Sequence, residues 1–152
     1  MAPSISLDHP APVVVPESNE TPATLVPTNA LFSLAGRTVM ITGGGRGLGM
    51  CLAAAVLEAG GDIACLDLLA EPSEEEWSAI QKTAKQCGLQ ATYTQCDITN
   101  EESTKKALEC IAAEGLRRNK PLSGAITCAG IQQMVPALDY PIDGYRKMLD
   151  VK

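Results

Sequence analysis

The stretch Thr42-Gly-Gly-Gly-Arg-Gly-Leu-Gly49 puts five glycines into eight residues, between a β-branched run and an amphipathic one. Glycine removes the Cβ where a chain must turn tightly or let a ligand approach its backbone. Before the glycines, Thr38 to Thr42 (TVMIT) is a compact apolar run and predicts a buried strand. After them, Leu48, Cys51, Leu52, Ala55, Val56 and Ala59 fall at helical spacing over 47–59, and Gly60–Gly61 supplies a stop. A helix that opens on such a turn aims its N–H groups and the positive end of its dipole at the glycines, which suits a pyrophosphate.

The same alternation continues along the chain. Asp62 to Asp67 (DIACLD) predicts a second strand, and its last residue lies about 20 residues past the glycines, where a carboxylate can accept from a ribose hydroxyl. Ser73 followed by Glu76 is a capping-box pattern, opening a helix that runs to about Cys87 and ends at Gly88. Residues 90–95 alternate as a third strand, with Asp97 just beyond it on the same side of the sheet. Thr99 with Glu102 repeats the capping box, and the helix after it carries Leu108 and Ile111 inward and closes near Gly115. Residues 123–127 (SGAIT) predict a fourth strand, and Pro141 opens a last helix in which Tyr145, Met148 and Leu149 share a face. Strands alternating with crossover helices predict an α/β fold, a parallel sheet with helices on both faces.

Composition excludes several classes. The formal net charge is −6, which argues against a nucleic-acid surface or an anionic membrane as partner. Aromatic residues are too scarce for a single-strand stacking platform. The six cysteines are scattered without a Cys-x-x-Cys pair, and the lone histidine is His9, so no zinc site is expected. Residues 1–33 are rich in proline, and no lysine or arginine precedes Arg37, which predicts a disordered tail and not a transit or secretory peptide. No run is long and apolar enough to span a membrane, so the cytosol is the expected compartment.

The segment TGGGRGLG resembles the threonine–glycine–three residues–glycine–any–glycine signature of the short-chain dehydrogenase/reductase family. The resemblance continues through Asp67, through Cys96–Asp97–Ile98 and through Cys128–Ala129–Gly130–Ile131. In wording it is nearest to fungal sorbose-reductase and arabinitol-dehydrogenase types. It implies a Rossmann-type doubly wound parallel sheet, here cut off after about four strands, with 34–152 as a partial dinucleotide-binding domain. It also implies that Gly43, Gly47 and Gly49 form the turn, with Arg46 and Leu48 among the cofactor-binding positions. Asp67 would then hold the adenosine ribose, Asp97 and Ile98 flank the adenine, and Ala129 and Gly130 lie against the cofactor.

Asp67 favours NAD over NADP, because a carboxylate accepts from a free 2′-hydroxyl and repels a 2′-phosphate. Arg46 pulls the other way, but Leu68 follows the acid where a second cation would be needed to neutralise it.

Family chemistry uses a serine, and a tyrosine with a lysine four residues on, to hold the substrate and move its proton. Four residues after Tyr93, Tyr140 and Tyr145 stand Asp97, Gly144 and Leu149, so no such pair is present. Family members also carry asparagine near Thr127–Cys128 and after the residue matching Val151, where this chain has Lys152. The expectation is a dinucleotide-binding fragment of an oxidoreductase lineage, inactive alone, with its subunit-packing helices shortened. Its fourth strand would be a bare edge, making it marginal, aggregation-prone and weaker for the dinucleotide. The alternatives are a non-catalytic dinucleotide-binding module and a module that joins a partner through that edge.

Overall fold

The computed structural model describes residues 27–151; the tail up to residue 26, with His9, and Lys152 lie outside the described residues. The elements run α1 (Thr28–Leu31), β1 (Thr38–Thr42), α2 (Leu48–Glu58), β2 (Asp62–Asp67), α3 (Glu74–Cys87), β3 (Ala91–Gln95), α4 (Glu101–Arg117), β4 (Leu122–Thr127), a 3₁₀ turn at Ala137–Asp139 and α5 (Ile142–Asp150). The single turn of α1 stands inside the segment expected to be disordered to residue 33, with Pro27 at its N-cap, a position where a missing N–H costs nothing.

The four strands form one parallel sheet in the order β3-β2-β1-β4. The chain therefore winds outward from β1 to β3, crosses over through α4, and places β4 on the other side of β1. That reversal opens a crevice at the carboxyl ends of β1 and β4, the place where doubly wound sheets bind ligands. The expected α/β, Rossmann-like fold is the one observed.

Period-two alternation sends the central strands into two cores. Val39 and Ile41 of β1 and Ile63 and Cys65 of β2 pack with Met50, Ala53, Val56, Leu57, Ile80 and Ala84 of α2 and α3. Met40, Ala64 and Leu66 face the other way, against Ala107 and Ile111 of α4. Ile41 and Leu66 are wholly buried, each contributing on the order of 1.5–3 kcal/mol relative to exposure. Trp77 meets Tyr93 edge-on, with centroids 5.8 Å apart, and closes the first core over β3.

Four local expectations are corrected. The buried face of α2 is Gly49, Met50, Ala53, Val56 and Leu57, not the face through Leu48, Cys51, Leu52, Ala55 and Ala59. This helix is apolar nearly all round, so spacing alone cannot set its phase; the glycine turn that launches it does. The capping box at Ser73 does not form, since Ser73 makes no side-chain cap and Glu76 reaches instead to the Gly47 N–H. The cap of α4 is Asn100, whose Oδ1 accepts from the Ser103 N–H at 2.9 Å, one residue beyond Thr99. That helix also runs through Gly115 to Arg117, because Gly115 is buried against the Lys120 carbonyl and is not a stop.

At the amino end of the sheet, Asp62 is 2 % exposed and binds Lys120 Nζ at 2.7 Å and the Gln90 N–H at 3.0 Å. Arg118 approaches its second oxygen at 3.1 Å without an aligned hydrogen bond. The carboxylate thereby ties β2 to the turns before β3 and β4, far from the crevice. In β4, Ser123, Gly124, Ala125 and Thr127 are exposed, unlike the fully buried β1. Helix α5 buries no residue, and Ile142, Tyr145 and Leu149 stand at 46 % exposure or more. Among the described residues no helix is long and apolar enough to cross a membrane, and no cluster of three or more metal-ligating side chains occurs.

Candidate functional site

The crevice at the carboxyl ends of the strands is a cleft of about 310 Å³. Gly43, Arg46, Leu48, Gly49, Asp67, Asp97, Ile98, Ala129 and Gly130 all line it, so residues spread over most of the chain are brought to one place. Gly47 is the exception among the sequence-derived positions. It is the N-cap of α2 with φ +56° and ψ −125°, a conformation that only glycine holds without strain, and its contribution is to the bend.

The turn is built by close approach. A Cβ at Gly43 would lie 2.7 Å from the Ala129 Cα, and one at Gly49 would overlap the Gly43 carbonyl. Backbone thus lies directly on backbone, and α2 begins hard against the end of β1. The first N–H groups of α2 have no acceptor within the helix, and Leu48 and Gly49 at its start line the cleft.

Asp67, the last residue of β2, is fixed by two amides. The Gly45 N–H donates to its Oδ2 at 2.9 Å and the Leu69 N–H to its Oδ1 at 3.2 Å. Each carboxylate oxygen keeps a lone pair for a further donor. The loop after Asp67 is held from β3, where Tyr93 Oη donates to the Leu69 carbonyl at 2.7 Å and Gln95 Nε2 to the Leu68 carbonyl at 3.1 Å. Burial raises the Tyr93 hydroxyl above its ordinary value, and the Asp67 charge adds to this. Cys65 lies under the turn, and burial, then Asp67, pushes its thiol up to about 12, so it stays a packed neutral group.

Just past the end of β3, Asp97 accepts from the Thr99 hydroxyl at 2.7 Å and from the Thr99 N–H at 3.0 Å. Those bonds, hydroxyl first, hold its carboxyl below the ordinary carboxylate range. Asp97 is thus an exposed anion at the lip of the cleft.

Sequence reasoning did not assign several participants. Cys96, Cys128, Ile131, Leu68 and Leu69 also line the cleft. Thr42 accepts the Ala129 N–H, and Glu76 accepts the Gly47 N–H. Tyr93 and Gln95 had a legible signal, being two apart on a strand next to one that ends in an acid. Glu76 had none, because its spacing from Ser73 reads as a cap.

The cleft therefore offers a glycine turn with Arg46 and Leu48, a helix start, a backbone-held carboxylate at Asp67 and a second carboxylate at Asp97.

Residues 37–152 match the family model described as short chain dehydrogenase. A short-chain dehydrogenase/reductase of Aspergillus versicolor is 37 % identical over 121 residues, covering 80 % of this chain and 40 % of that protein. The 5-keto-D-gluconate 5-reductase of Escherichia coli K12 is 30 % identical over 123 residues, covering 81 % and 45 %. Among solved structures, the NADPH-dependent 3-quinuclidinone reductase of Rhodotorula rubra superposes with a TM-score of 0.66 at 34 % identity, over 90 % of this chain and 49 % of that one. An NAD+-bound xylitol dehydrogenase, at 24 % identity and a TM-score of 0.64, shares the fold over 78 % of this chain and 43 % of its own. The chain spans about half or less of the length of the proteins it matches. Its family model, its relatives and its fold agree, and the chain belongs to the short-chain dehydrogenase family.

Proposed function

We propose that the cleft holds a nicotinamide dinucleotide, NAD in preference to NADP, and that it does so in the service of hydride transfer to or from a hydroxyl or carbonyl substrate. The observation that carries this reading is Asp67, held at the turn by the Gly45 N–H so that one carboxylate stands directly beside the phosphate cradle. Leu48 and Gly49, at the start of α2, present amides to the pyrophosphate; Asp67 accepts from the adenosine ribose hydroxyls; Asp97 and Ile98 flank the adenine. Ala129 and Gly130 leave room for the cofactor where β4 ends. When bound, the nicotinamide supplies the carbon that gives or takes the hydride.

The preference for NAD rests on charge. A 2′-phosphate brought to Asp67 is a like-charge contact, and Arg46 offsets it only in part. The name of the Rhodotorula relative argues for NADP, and a binding comparison decides between them. The E. coli relative's name, a reductase of a keto sugar acid, supports a polyol or ketose as the substrate class.

Residues 1–152 by themselves bind without turnover in this reading. None of Tyr93, Tyr140 and Tyr145 has a lysine four residues on, and the Tyr93 hydroxyl is already engaged with the Leu69 carbonyl. The expected result of calorimetric titration of the chain is binding of NAD, weaker binding of NADP, and no reduced nicotinamide formed on addition of polyols. Failure to bind either dinucleotide rejects the cleft as a cofactor site; steady turnover rejects the reading of binding without turnover.

A second reading, association through the sheet edge, is favoured by the exposure of β4 alone. Light scattering across a concentration series tests it, with dimers or larger species expected and a monomer throughout counting against it.

A further inference from the structure

We propose that Glu76 is a second determinant of dinucleotide selectivity: fixed on the Gly47 N–H, its carboxylate stands with Asp67 on either side of Arg46 and denies that arginine to a 2′-phosphate. This rests on the dinucleotide reading of the cleft and extends it to a residue outside the cleft's own lining.

The geometry begins at the start of α3. The Ser73 N–H donates to the Gly45 carbonyl at 2.8 Å, which presses the first turn of α3 against the glycine turn. Glu76 then lies with both carboxylate oxygens on the Gly47 N–H, at 3.2 and 3.4 Å. Two residues earlier, the Gly45 N–H is on Asp67 at 2.9 Å. Amides two residues apart are separated by at most about 7 Å, so both carboxylates are anchored on the amides that flank Arg46 in the chain. The exposed side chain of Arg46 lines the cleft.

The charge consequence differs between the two cofactors. A free 2′-hydroxyl donates to a carboxylate and carries no charge. A 2′-phosphate brings up to two negative charges to a turn that already carries two carboxylates, on the amides either side of Arg46. Near a surface each pair interacts modestly, but the sum is repulsive for the phosphate and nearly indifferent for the hydroxyl. The hydrogen bond to Gly47 does not itself need a charge, since an amide oxygen accepts the same N–H. Glu76 therefore supplies a bond that glutamine can replace and a charge that it cannot.

The test is calorimetric titration of the whole chain with NAD and with NADP. Glu76→Gln is expected to raise NADP affinity about tenfold and NAD affinity about twofold, moving the ratio about fivefold toward NADP. The shift shrinks as salt is raised through the physiological range, and it is smaller between R46A and R46A/E76Q than between the parent and E76Q. Glu76→Ala, which also loses the hydrogen bond, shows the same shift in ratio with weaker binding of both. A ratio that stays within twofold of the parent in Glu76→Gln, or a shift of undiminished size between R46A and R46A/E76Q, overturns the proposal. A parent chain that binds neither dinucleotide overturns the underlying cofactor reading, and the proposal with it.

Discussion

The backbone N–H of Ala129 donates to the side-chain hydroxyl oxygen of Thr42 at 3.3 Å, joining the end of β4 to the first residue of the glycine turn. The Cys128 N–H meets the Thr42 carbonyl at 3.1 Å, so a single residue holds both walls of the crevice through its main chain and its side chain. Thr42 is 7 % exposed, and water cannot readily replace it as the acceptor.

Thr42→Val keeps the shape and removes the acceptor, leaving the Ala129 N–H without a partner. Stability is expected to fall by about 1–2 kcal/mol, with dinucleotide binding weakened as the walls loosen. Thr42→Ser restores most of both. Urea melts of the three proteins check this, and equal midpoints for valine and threonine would remove the bond from the account.

Gly49→Ala places a methyl in the Gly43 carbonyl and cannot be relieved by a side-chain rotation. The expected outcome is loss of dinucleotide binding together with a destabilisation of several kcal/mol, or insoluble protein. Gly124→Ala is the control, since nothing lies within 4 Å of a Cβ there. It is expected to be neutral or to gain up to about 1 kcal/mol, because alanine loses less entropy in a strand. Thermal melts of both variants separate close approach from mere glycine content.

Removing the Asp62 carboxylate strands Lys120 and Arg118 beside a buried gap. Asp62→Ala is expected to cost about 3–5 kcal/mol, while Asp62→Asn, which still accepts from the Gln90 N–H, costs less. The amino end of the sheet lies away from the cleft, so dinucleotide affinity of the folded fraction stays at the parent level. A drop in affinity matching the drop in stability would show that the two ends are coupled.

Cys65 gives a pH dependence with a definite sign. Its thiol ionises near 9 when unfolded and at about 12 when folded, so the folded state holds its proton longer. The unfolded state then binds fewer protons as pH rises above 9, and stability declines from there toward 12, by about 1.4 kcal/mol per unit at the steepest. The raised Tyr93 hydroxyl acts in the same direction. Denaturation of the parent and of Cys65→Ala across this range should show a shallower decline in the variant; parallel curves would discard the burial of a neutral thiol. Below pH 9, thiol reagents are expected to label the exposed Cys51, Cys87 and Cys110 and to spare Cys65.

The fold was legible because its signals are local and repeated. All four strands and the helices α2 to α5 fall where apolar runs and amphipathic stretches predict them, with ends displaced by a residue or two. The phase of α2 was not legible, since a helix apolar on every side has no preferred face until its first turn is anchored. The caps misled for a related reason. Ser73 and Thr99 have the right spacing to an acid, but the Ser73 N–H is drawn to Gly45, and Thr99 serves Asp97 while Asn100 takes the cap.

For the site, the sequence by itself determined which backbone positions had to be bare and which strand ends carried a carboxylate: Gly43, Gly47, Gly49, Asp67 and Asp97. Those features follow from turn sterics and strand order, which a linear pattern encodes. Only the tertiary structure decided what those groups bind to within the protein. Gly47 faces Glu76 and not the cleft, Asp67 is oriented by Gly45 and Leu69, and Thr42 holds Ala129. Those partners lie between 2 and 87 residues apart in the chain. Thr42 and Ala129 meet because the crossover after β3 lays β4 beside β1, and Gly47 meets Glu76 because the first turn of α3 lies against the glycines, contacts that no local pattern in the chain encodes.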